Sequence, residues 1–239
     1  MKITADDAVV LLLHGKVVAV PTETVYGLAA IATMPAAVAK IFAIKNRPAD
    51  NPLICHFHSM EQVKKYVKEI PATTQKLMHK FSPGPVSFML DLPEDSALKF
   101  ATCGQPQVIV RIPGHAVFLS ILKKINQPVA APSANTSGKI SPTTAEMVEQ
   151  DLGGKTDGVV DGGSSPVGLE SAILDARSET EIFILRPGAI GKDEIRELFP
   201  DIKVQDVNTS HIIPGSRYPH YAPNKPVLLI DNISAAALD

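Results

Sequence analysis

Apolar positions along this chain recur with two spacings, one typical of strands and one typical of helices. Short apolar, mostly β-branched runs predict strands at Lys16–Val20, Leu53–Phe57, Val86–Leu90, Val108–Ile112, Val129–Ala131, Gly158–Val160, Ala172–Leu174 and Ile182–Leu185. Apolar residues three to four positions apart predict helices at Ala8–Leu13, Pro35–Ile44, Ser59–Ile70, Ala72–Lys80, His115–Ile125, Thr143–Leu152 and Lys192–Phe199. This order predicts an α/β (α+β) fold, with one twisted, mostly mixed sheet flanked by helices.

The pattern changes near the C-terminus. From Asp206 to Lys225 it gives way to turn-forming residues, which indicates a connector, and Pro226–Ile230 then starts another strand-like run. We therefore expect one domain over residues 1–205, a linker or lid over 206–225, and the start of a truncated or missing second α/β domain over 226–239.

Composition narrows the class of protein. The chain has 239 residues, of which 45% are hydrophobic and 20% charged, as in ordinary globular proteins. A net charge of −2 argues against a protein that coats nucleic acid, although a local basic cleft remains compatible with it. Only two cysteines, Cys55 and Cys103, are present, which suits a reducing cytoplasm. Acidic residues near the N-terminus contradict a signal peptide, and no apolar run approaches a membrane span.

The segment from Lys45 to Leu53 is unusually rich in chemistry. It contains the cations Lys45 and Arg47 together with Pro48 and Pro52. Each proline disfavours the helical region for the residue before it, so the preceding helix must end here. The two cations could complement the C-terminus of that helix, worth about 0.3–1 kcal/mol. Alternatively, they could project from a stiff exit and bind an anion; the residues alone leave both interpretations open.

Two segments suggest phosphate binding or metal binding, but each lacks a feature that such a site requires. Gly154-Lys155-Thr156 imitates the end of a phosphate-binding loop, but Glu149 stands where that motif requires glycine. Cys55 and His56 would point to opposite faces of a strand, so metal binding is not expected there. His56 and His58 share the other face, and a single imidazole is expected to face a cavity instead.

Hydroxyl and amide side chains gather between a strand and a helix. Ser133 and Asn135 follow the strand that ends at Ala131, and Ser141 precedes a helix with Pro142 in its first turn. Such side chains often bond their own backbone, whereas a helix start with free amide groups binds anions. The local sequence is compatible with either.

Other polar residues stand at strand ends, where ligands collect in α/β sheets. Thr24 follows the first strand, Ser171 precedes a strand and Arg186 follows one. Arg111 ends an apolar run and, if buried, needs a carboxylate partner. If no protein carboxylate pairs with it, a ligand carboxylate is its natural partner.

Taken together, these segments resemble the threonylcarbamoyl-AMP synthase family, which has the YrdC-like fold. The similarity runs from about Lys16 to Pro223. Seven blocks in one order carry it: Pro21-Thr22-Glu23-Thr24-Val25-Tyr26-Gly27-Leu28, Lys45-Asn46-Arg47-Pro48 with Asn51-Pro52-Leu53, Pro83-Gly84-Pro85, Arg111-Ile112-Pro113, Ala131-Pro132-Ser133-Ala134-Asn135, Asp161-Gly162-Gly163 and Leu185-Arg186-Pro187-Gly188. The segment Pro214–Pro223 is similar to the linker of the longer, two-domain branch of the family.

The resemblance implies a single YrdC-like catalytic domain around an open basic cavity. It implies a nucleotidyltransferase that makes L-threonylcarbamoyladenylate and pyrophosphate from L-threonine, bicarbonate or CO₂, and ATP. This is the first stage of N6-threonylcarbamoyladenosine formation at position 37 of tRNAs that read codons beginning with A. Two alternatives are a non-catalytic RNA-binding module of the same fold and a carbamoyl-transfer module of hydrogenase maturation.

The resemblance also implies partners and residue roles. Mg²⁺ would accompany ATP without a tightly bound protein metal site, and the product would pass to a tRNA threonylcarbamoyl-transferase complex, with weak direct tRNA contact possible and no membrane. Threonine contacts are carried over to Thr24, His56, Arg111, Ala131 and Ser171, with Arg111 meeting the carboxylate. ATP contacts are carried over to Lys45, Arg47, Asn51, Gln107, Ser133, Asn135, Ser141, Arg186 and His220, the last of which would close over the nucleotide. Lys45 and Arg47 are the expected catalytic cations.

Overall fold

The structure is a computed structural model that describes residues 1–206. Its strands are β1 (Lys2–Ile3), β2 (Val18–Val20), β3 (Gly27–Ile31), β4 (Ile54–His56), β5 (Val86–Asp91), β6 (Gln107–Arg111), β7 (Val129–Ala130), β8 (Gly158–Val160), β9 (Ala172–Asp175), β10 (Glu181–Arg186) and β11 (Lys203–Asp206). Its helices are α1 (Ala5–Leu13), α2 (Pro35–Lys45), α3 (Met60–Lys64), α4 (Ala72–Phe81), α5 (Ala116–Ile125), α6 (Ala145–Leu152) and α7 (Lys192–Leu198).

The strands of this region form one sheet. Their order is β1-β8-β2-β3-β7-β4-β6-β5-β9-β10-β11. Parallel neighbours, such as β4 with β6 and β5 with β9, are interleaved with antiparallel neighbours, such as β5 with β6 and β9 with β10. The predicted mixed sheet flanked by helices is confirmed.

Helices cover both faces of this sheet. Along β2, Val18 and Val20 pack into one apolar cluster with α1 and α5, whereas Ala19 packs into the larger cluster on the other face with α2 and α4. This alternation is the two-residue period of a strand. It explains why the central strands lack the polar face of a one-sided sheet.

Helix α2 ends where the prolines predict. Lys45 is its last residue, and Asn46 caps it in the left-handed conformation with φ 50°. The amide groups of Asn46 and Arg47 bond the carbonyls of Ala43 and Phe42, which satisfies part of the helix end. The chain then turns toward β4.

Other boundaries differ from the sequence-based expectation. The helix expected over Ser59–Ile70 ends at Lys64, because the next amides, those of Lys65 and Tyr66, bond carbonyls three residues back in tight turns. Strand β3 was not expected, because Ile31 is its only β-branched residue and most of the others are small. Strands β1 and β11 are short edge strands defined by pairing with β8 and β10.

Two expectations fall beyond this description. The linker after Asp206, with His220, and the strand-like run Pro226–Ile230 lie outside the described residues. Within residues 1–206, none of the helices is long and apolar enough to cross a membrane.

Candidate active site

A pocket opens at the sheet end where β4 and β6 finish and β9 begins. Its atom-free space is about 460 Å³, part of it open to solvent. Eight of the residues named from the sequence line it: Thr24, Arg47, His56, Arg111, Ala131, Ser133, Ser171 and Arg186. Four others complete the lining: Val25, Ile54, Pro132 and Glu170. The strand ends thus bring together residues that are up to 162 positions apart in sequence (186 minus 24).

Arg111 is fixed at the back of this pocket. Its side chain is 5% exposed, and its Nη2 lies 2.7 Å from Oε1 of Glu23. Its Nη1 donates to Oγ1 of Thr24 over 2.9 Å, and its Nε donates to the carbonyl of Gly84 over 3.2 Å. A protein carboxylate, that of Glu23, therefore pairs with Arg111. The residues alone predicted a ligand carboxylate only if no protein carboxylate paired with Arg111, so that argument no longer applies. The role implied by the family resemblance stays a prediction.

The charge of Arg111 contributes to the pKa shifts of two neighbouring groups, Glu23 and His56. Burial by itself would raise the pKa of the Glu23 carboxyl, but the Arg111 charge, the Arg111 hydrogen bond and the backbone amides of Gly114 and Glu23 together hold that pKa below its usual value. Burial, assisted by the Arg111 charge, lowers the pKa of His56 to about 3. His56 is therefore a neutral imidazole at physiological pH, with one donor and one acceptor nitrogen. It faces the pocket beside the ring of Phe118, whose centroid is 5.4 Å away.

Lys45 does not project from the helix end. Its side chain is buried, and its Nζ donates to the backbone carbonyls of Ser133 and Asn135. Burial, followed by the nearby Arg47 charge, lowers the pKa of Lys45 to about 7. Neither of the two sequence interpretations describes this arrangement, in which Lys45 holds the loop that carries Ser133.

Arg47 lies at the pocket surface instead. Its Nε donates to the carbonyl of Asn51 over 2.9 Å, and its Nη2 donates to the Asn51 side-chain oxygen and to the carbonyl of Pro52, both over 2.7 Å. These contacts fix the guanidinium against the turn that Pro48 and Pro52 impose. Asn51, 5% exposed, supports Arg47 from behind.

Another part of the pocket wall contains a second ion pair. Nη1 of Arg186 lies 2.7 Å from Oε2 of Glu170, and the two side chains are 16% and 11% exposed. Arg186 also donates to the carbonyl of Ser171, and Ser141 donates to Glu170. This wall joins the turn before α6 to the end of β10.

Besides Lys45 and Asn51, three further expected site residues lie outside the pocket lining. Asn135 donates its side-chain amide to the carbonyls of Thr136 and Lys139, as in the turn interpretation. Ser141 reaches the pocket through Glu170. Gln107 begins β6, at the opposite end from Arg111, and donates to Asp91 over 3.1 Å. The structure does not bring Gln107 together with the other residues.

The sequence reasoning did not assign roles to the two carboxylates, Glu23 and Glu170. Both are next to residues that it did assign, Thr24 and Ser171. A buried arginine requires a counter-charge, and this requirement could have indicated both.

A family model for Sua5/yciO/yrdC, described as "Telomere recombination", matches residues 10–188. The chain belongs to this family. The resemblance recognised from the seven blocks is thereby confirmed.

Two similar relatives carry the same name. The chain is 41% identical over 228 residues to the threonylcarbamoyl-AMP synthase of Bacillus subtilis, covering 94% of this chain and 66% of that protein. It is 41% identical over 225 residues to the threonylcarbamoyl-AMP synthase of Pyrococcus abyssi, covering 91% of this chain and 65% of that protein. The chain thus spans slightly less than two thirds of the length of these relatives.

Solved structures give the same fold. P. abyssi Sua5 complexed with L-threonine superposes with a TM-score of 0.84 at 41% identity, covering 92% of this chain and 65% of that one. Full-length HypF in the phosphate- and nucleotide-bound form matches with a TM-score of 0.68 at 20% identity, covering 76% of this chain and 28% of that one. At that identity the HypF match shows the fold alone.

Proposed function

We propose that this chain contains the catalytic domain of an L-threonylcarbamoyladenylate synthase. Eight residues, assigned to threonine or ATP by motif, converge on one pocket, and this observation carries the proposal. It is supported by the 41% identity to a structure complexed with L-threonine. The substrates are L-threonine, bicarbonate and ATP, and the products are threonylcarbamoyl-AMP and pyrophosphate.

Threonine binds against the wall that contains Arg111, Thr24, His56 and Ser171. A guanidinium has five N–H donors, so Arg111 can hold Glu23, Thr24 and Gly84 and still present two donors to the substrate carboxylate. Neutral His56 offers hydrogen bonds to the amino acid without adding a positive charge. Because Glu23 already compensates Arg111, the wall is held in position before the substrate arrives.

ATP binds against Arg47, Ser133 and Arg186, which line the same pocket. The threonine amine first takes up bicarbonate to give a carbamate with loss of water. A carbamate oxygen then attacks the α-phosphorus, and the bond to the departing pyrophosphate breaks. Negative charge grows on the phosphate oxygens, which Arg47 stabilises as a positioned cation. Lys45 acts indirectly in this step, because its amine holds the loop that carries Ser133.

Magnesium enters with ATP as part of the substrate. Within residues 1–206, three or more His, Cys, Asp or Glu side chains are nowhere grouped to hold a metal ion. Mg²⁺ commonly keeps several waters and binds substrate phosphates with one or two carboxylates. The product serves tRNA modification in the cytoplasm, where a tRNA threonylcarbamoyl-transferase complex consumes it.

Pyrophosphate release tests this function. Purified protein with Mg²⁺, ATP, bicarbonate and threonine is expected to release pyrophosphate, and omission of threonine should abolish release. Replacement of threonine by serine measures amino-acid specificity. Arg47→Ala is expected to lose this activity while its unfolding transition stays close to that of the wild type, since Arg47 lies at the pocket surface. Equal release with and without threonine contradicts the proposal.

A further inference from the structure

Five polar side chains form a continuous series of contacts, and three of them, Glu170, Ser171 and Arg186, line the pocket. Oγ of Ser141 donates to Oε1 of Glu170 over 3.1 Å, and Nη1 of Arg186 donates to Oε2 of Glu170 over 2.7 Å. Nη2 of Arg186 donates to Oγ of Ser171 over 3.1 Å, and that hydroxyl lies 2.8 Å from Oγ of Ser87. Glu170 is the member that joins the two halves of the series.

The contacts hold Arg186 in one orientation. Its Nε and Nη2 donate to the carbonyl of Ser171 over 3.0 and 2.8 Å, while Nη1 is directed at Glu170. The ion pair is mostly shielded from water, with side chains 16% and 11% exposed. Charge-assisted hydrogen bonds in such a setting are stronger than those of an exposed pair. Loss of the Glu170 charge would therefore loosen both Arg186 and the Ser171 hydroxyl that it contacts.

The series connects residues that the proposed function assigns to different substrates. Ser141 and Arg186 are expected ATP contacts, and Ser171 is an expected threonine contact. We propose that Glu170 is a positioning residue for both subsites: it fixes the hydroxyl of Ser141 directly and the hydroxyl of Ser171 through Arg186. This inference rests on the proposed function. It assigns no chemical step to Glu170, because its two oxygens are directed at Ser141 and Arg186.

Glu170→Gln tests this role, since it removes the charge and keeps the size of the side chain. In the pyrophosphate assay, we expect KM for both ATP and threonine to rise about tenfold, the scale of a lost charge-assisted hydrogen bond. Ser141→Ala should raise KM mainly for ATP, and Ser171→Ala mainly for threonine. In the Ser171→Ala background, Glu170→Gln should no longer raise the threonine KM, because its effect passes through that hydroxyl.

A matched control lies at the other end of β9. Asp175 pairs with Arg177 over 2.7 Å, with side chains 10% and 26% exposed, and neither residue lines the pocket. Asp175→Asn is expected to lower the free energy of unfolding and to leave both KM values within about twofold. If Glu170→Gln does not fold, Glu170→Asp keeps the charge but shortens the side chain and so lengthens the same contacts, and the same two KM increases are expected.

The outcomes separate the inference from the function on which it rests. If the wild type releases no threonine-dependent pyrophosphate, the proposed function is overturned and the inference with it. If the wild type is active and the Glu170 variant keeps both KM values, the inference alone is overturned. Additive effects of Glu170→Gln and Ser171→Ala on the threonine KM would also overturn it.

Discussion

Strand β9 has an arginine–carboxylate ion pair near each end, and the two pairs share the same shortest distance but differ in their surroundings. Glu170, which comes just before the strand, lies 2.7 Å from Arg186. Asp175, the last residue of the strand, lies 2.7 Å from Arg177. The first pair lines the pocket. The second extends to Asp91, which is 44% exposed. An ion pair by itself therefore does not indicate a functional site; the groups that it connects do.

Strand β6 likewise has one end at the pocket and the other end away from it. Arg111 ends it inside the pocket, whereas Gln107 begins it beside Asp91. Four residue steps along a strand separate the two by about 13 Å. The charged side chains at both ends are paired, but Arg111, Glu170 and Arg186 line the pocket, whereas Asp91, Asp175 and Arg177 do not. The following experiments compare the two ends.

The largest effect is expected for Arg111→Ala. We expect threonine-dependent pyrophosphate release at subsaturating threonine to fall about 100-fold or more, because the substrate carboxylate loses a charged, bidentate partner. The threonine KM, measured from initial rates, should account for most of the loss. A threonine dependence equal to that of the wild type would refute the assignment.

Stability has to be separated from binding in this variant. Arg111→Ala leaves the Glu23 carboxylate buried without its partner, which typically costs about 3–5 kcal/mol. Adding Glu23→Gln should recover part of the free energy of unfolding without recovering threonine binding. At the far end, Arg177→Ala is expected to change stability and to leave the threonine KM within about twofold.

A smaller, pH-dependent effect is expected for Lys45, which supports the pocket end from below. Its pKa falls from an ordinary 10.5 to about 7 in the folded protein because the amine is buried. Between these values the unfolded chain binds more protons, so folding becomes more favourable as the pH rises. Relative to Lys45→Met, the wild type should gain up to about 1.4 kcal/mol of unfolding free energy per pH unit in this window.

Urea unfolding of both proteins at several pH values between 7 and 10.5 measures this difference. Below the lower value the difference should level off, because Lys45 is then protonated in both states. A stability difference that stays constant across the window would show that Lys45 is fully charged in the folded protein.

The smallest effect is expected for Gln107→Ala. The family resemblance assigns Gln107 to ATP, but its side chain bonds Asp91 at the far end of β6. We therefore expect the ATP KM to stay within about twofold of the wild type. A tenfold increase would mean that the nucleotide reaches the far end, and the distinction between the two ends would then be lost.

The sequence predicted the parts of the fold that depend on local rules. Pro48 ends α2 near Lys45 through backbone sterics, and strand alternation turns His56 toward the pocket and Cys55 away from it. Strand β3 was missed because its small residues give no local signal, although pairing with β2 and β7 on either side buries it.

The motifs identified candidate site residues but not the contacts between them. Arg111 and Glu170 were visible as residues, but their contacts with Glu23 and Ser141 join segments 88 and 29 positions apart (111 minus 23 and 170 minus 141). The burial of Lys45 depends on the carbonyls of Ser133 and Asn135, which belong to a distant loop. Such pairings are set by the topology of the sheet, and local spacing does not contain them.

Mass spectrometry of the reaction product tests the central claim most directly. The protein is incubated with ATP, Mg²⁺, threonine and ¹³C-bicarbonate, and the nucleotide products are analysed. The account predicts an adenylate whose mass contains threonine and one labelled carbon, formed by the wild type and strongly reduced in Arg111→Ala. Only AMP or ADP, or an adenylate without threonine and the label, would contradict it.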